Sequence, residues 1–262
     1  MENAEVENLI LQLANTYKEK IPTDSSITSI YIYGSYVRGD FILGKSDLNF
    51  AIFLNIPNNE KIEPNSDLSF LKYISENIIS LSPNSLFRTS SGLSKFIYTA
   101  YALNDIRKII REEPFTVDSV ENLTFLAFDF LKFNKLLYGR DVLKDFENIP
   151  DPLKFKEYRF KSLKENYFSR KAKNRNSKLN ILLTLSGLIS YLAVIDGIRD
   201  IRKEKLIEWS ENYSLFAGNE NYKEVIERYF MYSFLDNLNK SNPLNDEWMK
   251  KAEYFIEEIF KG

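Results

Sequence analysis

The sequence predicts an α+β protein: a small mixed sheet with helices on it over residues 1–145, then an all-α helical bundle over residues 146–262. Three observations carry this reading. Short β-rich runs, Ile27–Tyr33 and Leu48–Leu54, lie only in the first part of the chain. The stretch from Asp145 to Pro152, with Asn148-Ile149-Pro150-Asp151-Pro152 at its end, has the composition of a linker. Beyond it the β signals stop, and apolar residues recur at helical spacing.

Taken in order, Val6, Leu9, Ile10, Leu13, Ala14 and Tyr17 follow the i, i+3, i+4, i+7 pattern of an amphipathic helix that ends before Pro22. Strand Ile27–Tyr33 stops at Gly34-Ser35. A helical turn or loop runs to Gly44-Lys45-Ser46, and Leu48–Leu54 is the second strand. Ser66 caps a helix carrying Leu68, Leu71, Ile74, Ile78 and Ile79. Ser85–Ser90 and Ser94–Ala102 read as a hairpin around Ser91-Gly92, and Asn104–Glu113 as a short charged helix. Asp118-Ser119-Val120-Glu121 has capping-box spacing and opens a helix burying Leu123, Ala127, Phe130 and Leu131. A very short strand, Leu136–Tyr138, precedes Gly139-Arg140-Asp141. The second domain reads as helices at Phe155–Lys173, Leu179–Ile201, Tyr222–Leu235 and Asp246–Phe260. The stripe Leu179, Leu182, Leu183, Leu185, Ile189, Leu192 and Ile195 is read as bundle core, with Gly187 marking close helix packing.

Composition narrows the chemistry. The 262 residues are 44% hydrophobic and 27% charged, with a formal net charge of −2, so no general attraction to nucleic acid or membrane is expected. There is no Cys, which removes disulfides and thiol catalysis. There is no His, which removes the Ser-His-Asp triad, imidazole bases and histidine-bound metals. Catalysis then falls to carboxylates, Lys, Arg, Tyr, Ser or Thr, or to an oxygen-bound cation such as Mg²⁺ or Mn²⁺. The acidic Met1-Glu2-Asn3-Ala4-Glu5 does not read as a signal peptide. The longest apolar stretch, Ile181–Ile195, is interrupted by Thr184, Ser186, Gly187 and Ser190, short of the roughly 20 apolar residues that span a bilayer. A cytoplasmic protein without a membrane partner is the expectation.

The chemistry-bearing stretch is Gly34-Ser35-x-x-Arg38-Gly39-Asp40, followed after five residues by Ser46-Asp47-Leu48-Asn49-Phe50. Alternation along a strand puts positions 47 and 49 on one face, where two oxygen-bearing side chains can hold a divalent cation. Gly34 allows close approach of backbone to phosphate, and Ser35 offers a donor. This pattern resembles the signature of the nucleotidyltransferase-fold superfamily, which includes DNA polymerase β and the aminoglycoside nucleotidyltransferases. It is most similar to the prokaryotic minimal and aminoglycoside-type branches. Leu137-Tyr138-Gly139-Arg140-Asp141 is similar to the last strand and exit segment of the minimal branch.

The resemblance implies transfer of a nucleoside monophosphate from an NTP, ATP first among them, to an acceptor hydroxyl with Mg²⁺ or Mn²⁺. It implies Asp47 and Asn49 as catalytic and metal-binding residues, and Gly34, Ser35, Arg38 and Lys45 as nucleotide-binding ones. The sequence departs from the family at Asn49, where the second Asp belongs; an amide oxygen ligates Mg²⁺ but carries no charge. Neither run of the hairpin contains an acid, and Asp105 is the nearest third carboxylate. The alternative is a degenerate fold that binds nucleotide or nucleic acid, or serves as a toxin–antitoxin-type partner. Without His, the chain lacks the Arg-x(4–6)-His motif of the ribonuclease partners of minimal nucleotidyltransferases. The basic run from Lys154 to Lys178, with Phe155, Tyr158, Phe160, Tyr167 and Phe168 interleaved, reads as a solvated helix with a buried side, or more sharply as a phosphate or RNA contact. A homodimer is an allowed assembly.

Overall fold

A computed structural model describes residues 2–41, 46–55, 96–103, 127–146, 151–173, 177–234 and 244–261. The chain forms two compact units, Met1–Pro150 and Asp151–Gly262.

In the first unit, helix α1 (Glu2–Lys20) buries the stripe Val6, Leu9, Ile10, Leu13 and Tyr17. The stripe packs with Ile30 and Ile32 of β1 (Ile27–Tyr33) and with Leu48, Phe50, Ile52 and Leu54 of β2 (Leu48–Leu54). Each such side chain contributes about 1.5–3 kcal/mol on removal from water, so this face of the sheet is fixed by α1. The alternate residues point the other way. There Tyr31, Tyr33 and Phe53 meet Phe130 of α3 (Ala127–Lys132), with ring centroids 5.3–6.0 Å apart. Both faces of β1 and β2 are therefore covered, which is why neither strand shows the simple apolar–polar alternation of a half-exposed strand.

The sheet runs β3-β2-β1-β4, with β3 at Phe96–Ala102 and β4 at Asn134–Gly139. β1 is antiparallel to both β2 and β4, and β2 is parallel to β3. The expected mixed sheet is thus present. Its last strand is longer than the expected Leu136–Tyr138, because Asn134 and Lys135 already pair with Tyr33 and Ile32. The proposed strand Ser85–Ser90, the helices after Ser66 and Asn104, and the capping box at Asp118 lie outside the described residues.

β4 ends at Gly139, with φ of 80°. A Cβ there would stand 1.9 Å from the Thr28 carbonyl oxygen. Gly139→Ala is expected to destabilise the unit by about 2–3 kcal/mol, from a left-handed backbone and a collision with main chain. Chemical denaturation checks this; an unchanged midpoint would refute it.

The second unit is all helical among its described residues. Its helices are α4 (Lys156–Ala172), α5 (Ser177–Ile195), α6 (Lys203–Asn212), the single turn α7 (Ser214–Ala217), α8 (Glu220–Phe234) and α9 (Asp246–Lys261). As Gly187 suggested, α4 and α5 approach closely: a Cβ at Gly187 would stand 2.5 Å from Leu163 Cδ2. Lys178–Ile195 is long and apolar enough to cross a bilayer, contrary to the count of interruptions, but more than half of it is buried within the structure.

Three expectations for this unit are corrected. The apolar helix does not run to Ile201. Gly197 takes φ of 93°, and the amides of Gly197 and Ile198 donate to the carbonyls of Val194 and Ala193, a Schellman stop that frees the following segment to form α6. Leu179 and Leu183 are 48% and 46% exposed, so the buried side of α5 is carried by Ile181, Leu185, Leu188, Ile189 and Leu192. In α4 only Tyr167 among the interleaved aromatics is fully buried, while Tyr158 and Phe168 are exposed.

The basic run is also less open than its sequence. Lys171 bonds Glu253 at 2.7 Å and Glu257 at 2.5 Å, and Lys164 donates to the Phe260 carbonyl at 2.7 Å. Lys171 holds the Glu257 carboxyl below its ordinary range. To the few acids within α4, Glu157 and Glu165, α9 adds Glu253 and Glu257, and the RNA reading of this surface gains no support.

Candidate nucleotide site

Tyr33, the last residue of β1, pairs with Asn49. Chain reversal must begin there, and Gly34 takes it with φ of 80° and ψ of −148°, a region open essentially to glycine alone. A Cβ on Gly34 would stand 3.1 Å from Asn49 Nδ2, so the bare backbone is also what admits the amide. The turn α2 (Ser35–Arg38) follows, tied by Val37 and Arg38 amides donating to the Gly34 carbonyl at 3.1 and 3.0 Å. Gly39, at φ of 84°, stops it, and the Asp40 amide donates to the Ser35 carbonyl at 3.0 Å. Ser35 is buried.

Asp47 lies one residue before β2, half-buried, and Asn49 is the second residue of that strand. They share the sheet face opposite α1, because Leu48 and Phe50 are in the α1 core. Asn49 Nδ2 donates to the Asp47 carbonyl at 3.4 Å. The register thus brings Gly34, Ser35, Asp47 and Asn49 to one end of the β1–β2 pair, as their spacing implied. Lys45 and Asp105 lie outside the described residues.

Arg38 does not stand alone on its turn. Its Nη1 donates to Asp129 Oδ2 at 2.7 Å and its Nε to Asp40 Oδ1 at 3.3 Å. Asp129 sits on α3 and is 5% exposed. Sequence reading missed it, although an acid between Phe128 and Phe130 in an apolar run is itself a signal that the position needs a partner.

A second polar cluster fixes the exit from β4. Tyr31 donates its hydroxyl to Asp141 Oδ1 at 2.9 Å and accepts the Val142 amide at 2.8 Å. Burial pushes the phenol well above its ordinary pKa. This buried hydroxyl, with Asp141, ties the segment after Gly139 to the sheet.

The fold implies a divalent cation at this end of the β1–β2 pair. Asp47 gives a carboxylate and Asn49 an amide oxygen, and the Gly34 cradle leaves room beside them. Ile97 of β3 is the register partner of Asn49, and no group of three Asp or Glu forms a cluster among the described residues. Among the described residues, Asp47 and Asn49 fit one cation shared with a polyphosphate.

Residues 12–115 match the family model described as a nucleotidyltransferase domain. A spectinomycin adenyltransferase, AAD(9) from Enterococcus faecialis, solved in a crystal structure with ATP and spectinomycin, aligns over 96% of this chain and 99% of its own at 16% identity, with a TM-score of 0.56. The chain has the nucleotidyltransferase fold. The family match spans both the Gly34-Ser35 turn and the Asp47-x-Asn49 strand. The structural similarity extends through the helical unit as well. No curated protein matches the chain.

Proposed function

We propose that the chain transfers a nucleoside monophosphate from an NTP, with ATP as the first choice, to a hydroxyl of a small molecule. The observation that carries this is the β1–β2 register, which sets the Gly34-Ser35 turn beside the Asp47-x-Asn49 strand. The end-to-end similarity to an adenyltransferase of small molecules supports the acceptor class.

In this reading the acceptor oxygen attacks the α-phosphorus, the bond to the bridging oxygen breaks, pyrophosphate leaves, and the hydroxyl proton passes to a base. The main chain at Gly34 lets the polyphosphate approach, Ser35 donates a hydrogen bond, and Arg38 donates from its guanidinium. Asp47 and Asn49 would hold one Mg²⁺ or Mn²⁺, which when bound neutralises charge on the polyphosphate.

A second reading is nucleotide binding without turnover. The neutral Asn49 favours it, since a second carboxylate at that position would make a stronger cation site. Pyrophosphate release, measured with each NTP and hydroxylated acceptors including spectinomycin, decides between them. Release that depends on acceptor supports transfer. Calorimetric ATP binding with no release selects the second reading, and no binding removes both.

A further inference from the structure

We propose that Asp129 is the positioning residue for Arg38: its buried carboxylate fixes the guanidinium on the Gly34–Arg38 turn so that the donors left over meet a triphosphate. This rests on the reading of Arg38 as a phosphate contact.

Four observations lead here. Asp129 is 5% exposed, and a carboxylate so far from water is retained in a fold only with a strong partner. That partner is Arg38, 91 residues earlier, at 2.7 Å. The helix bearing Asp129 is pinned to the sheet by the residue next to it. Phe130 packs its ring on Tyr31, Tyr33 and Phe53, on the sheet face that also carries Asp47 and Asn49. Finally, Asp40 takes the Nε edge of the same guanidinium at 3.3 Å.

The guanidinium is therefore gripped at Nη1 and Nε, while the Nη2 donors are used by neither acid. Two carboxylates around one cation leave the cluster with no net positive charge. What it offers a phosphate is a planar donor group already aimed, rather than attraction at a distance. This sets the sign of the test. If Arg38 acted by charge alone, neutralising Asp129 would tighten phosphate binding; if it acts by aim, the same change loosens binding.

The experiment titrates tripolyphosphate, ATP and adenosine into the full chain by calorimetry, for the wild type and for Asp129→Asn, Arg38→Ala, Arg38→Lys and the double variant. Asp129→Asn is expected to weaken ATP and tripolyphosphate roughly tenfold, the scale of one charge-assisted hydrogen bond, and to leave adenosine unchanged. In the Arg38→Ala background it should add nothing further, because both changes remove one contact. Arg38→Lys should bind as weakly as Arg38→Ala.

Equal or tighter tripolyphosphate binding by Asp129→Asn overturns the assignment, as does an equal loss in the Arg38→Ala background. If Asp129→Asn fails to fold, Arg38→Lys decides: wild-type affinity there refutes a need for an aimed guanidinium. A wild type that binds neither ATP nor tripolyphosphate removes the nucleotide reading and this assignment together. A wild type that binds, with variants unchanged, removes this assignment alone.

Discussion

Asp47→Ala is expected to lower nucleotidyl transfer by at least ~100-fold, the scale on which single charge-stabilising groups act in polar active sites. The melting temperature should stay close to wild type. The reason is the position of Asp47. It precedes the β2 ladder, and the strand is held by Leu48, Phe50, Ile52 and Leu54 in the α1 core and by pairing to β1 and β3 on either side. Removing a half-buried carboxylate there costs the fold little, but it strips the Asp47–Asn49 pair of its charge. Asp47→Asn separates charge from packing, because it keeps the volume and loses the charge, so its activity should fall nearly as far. Steady-state pyrophosphate release with Mg²⁺ and with Mn²⁺ reads both variants. Wild-type turnover in Asp47→Asn would show that the charge is not used. If the chain binds nucleotide without turnover, the same variants should lose the metal-dependent part of ATP affinity.

The order of elements around this residue was legible because each has a strong local cause. The α1 stripe has helical periodicity, Gly34 stands where β1 must turn back, and the β1 and β2 runs are short and bounded by turn residues. The pairing and register of the strands are tertiary and come from the structure. The missed features are tertiary. Asp129 becomes meaningful only when α3 folds onto the sheet and meets an arginine 91 residues away. The end of α5 at Ile195 turns on Gly197, which the continuing apolar pattern through Ile198 and Ile201 conceals. The basic face of α4 looks unopposed in sequence because Glu253 and Glu257, which meet Lys171, lie on α9. Exposed Leu179 and Leu183 show the same limit: periodicity says that a helix has an apolar stripe, while its neighbours decide which part of the stripe they cover.

Asn49→Asp tests the residue on which activity turns. The substitution places a second carboxylate two residues from Asp47 on the same strand face, and ligand charge is a main determinant of divalent-cation affinity. Turnover at limiting Mg²⁺ is expected to rise roughly tenfold or more, since supporting ligands at metal sites typically count 10–100-fold in affinity or activity. A second, independent signature follows from the amide contact. Asn49 Nδ2 now donates to the Asp47 carbonyl at 3.4 Å, and a carboxylate cannot. Without metal, Asn49→Asp therefore faces that carbonyl and the Asp47 carboxylate with like partial charges, and should lose about 1 kcal/mol of stability. Mg²⁺ or Mn²⁺ should restore it, so the variant's melting temperature becomes metal-dependent where the wild type's is nearly flat. Thermal melts with and without 5′-ATP and metal read this even in an inactive protein. Metal-dependent stabilisation without turnover would move the deficit to β3, where Ile97 is the register partner of Asn49, and Ile97→Asp in the Asn49→Asp background is then the variant expected to turn over. Melts that ignore metal would show that positions 47 and 49 do not share a cation, and the proposed transfer would lose its chemical basis.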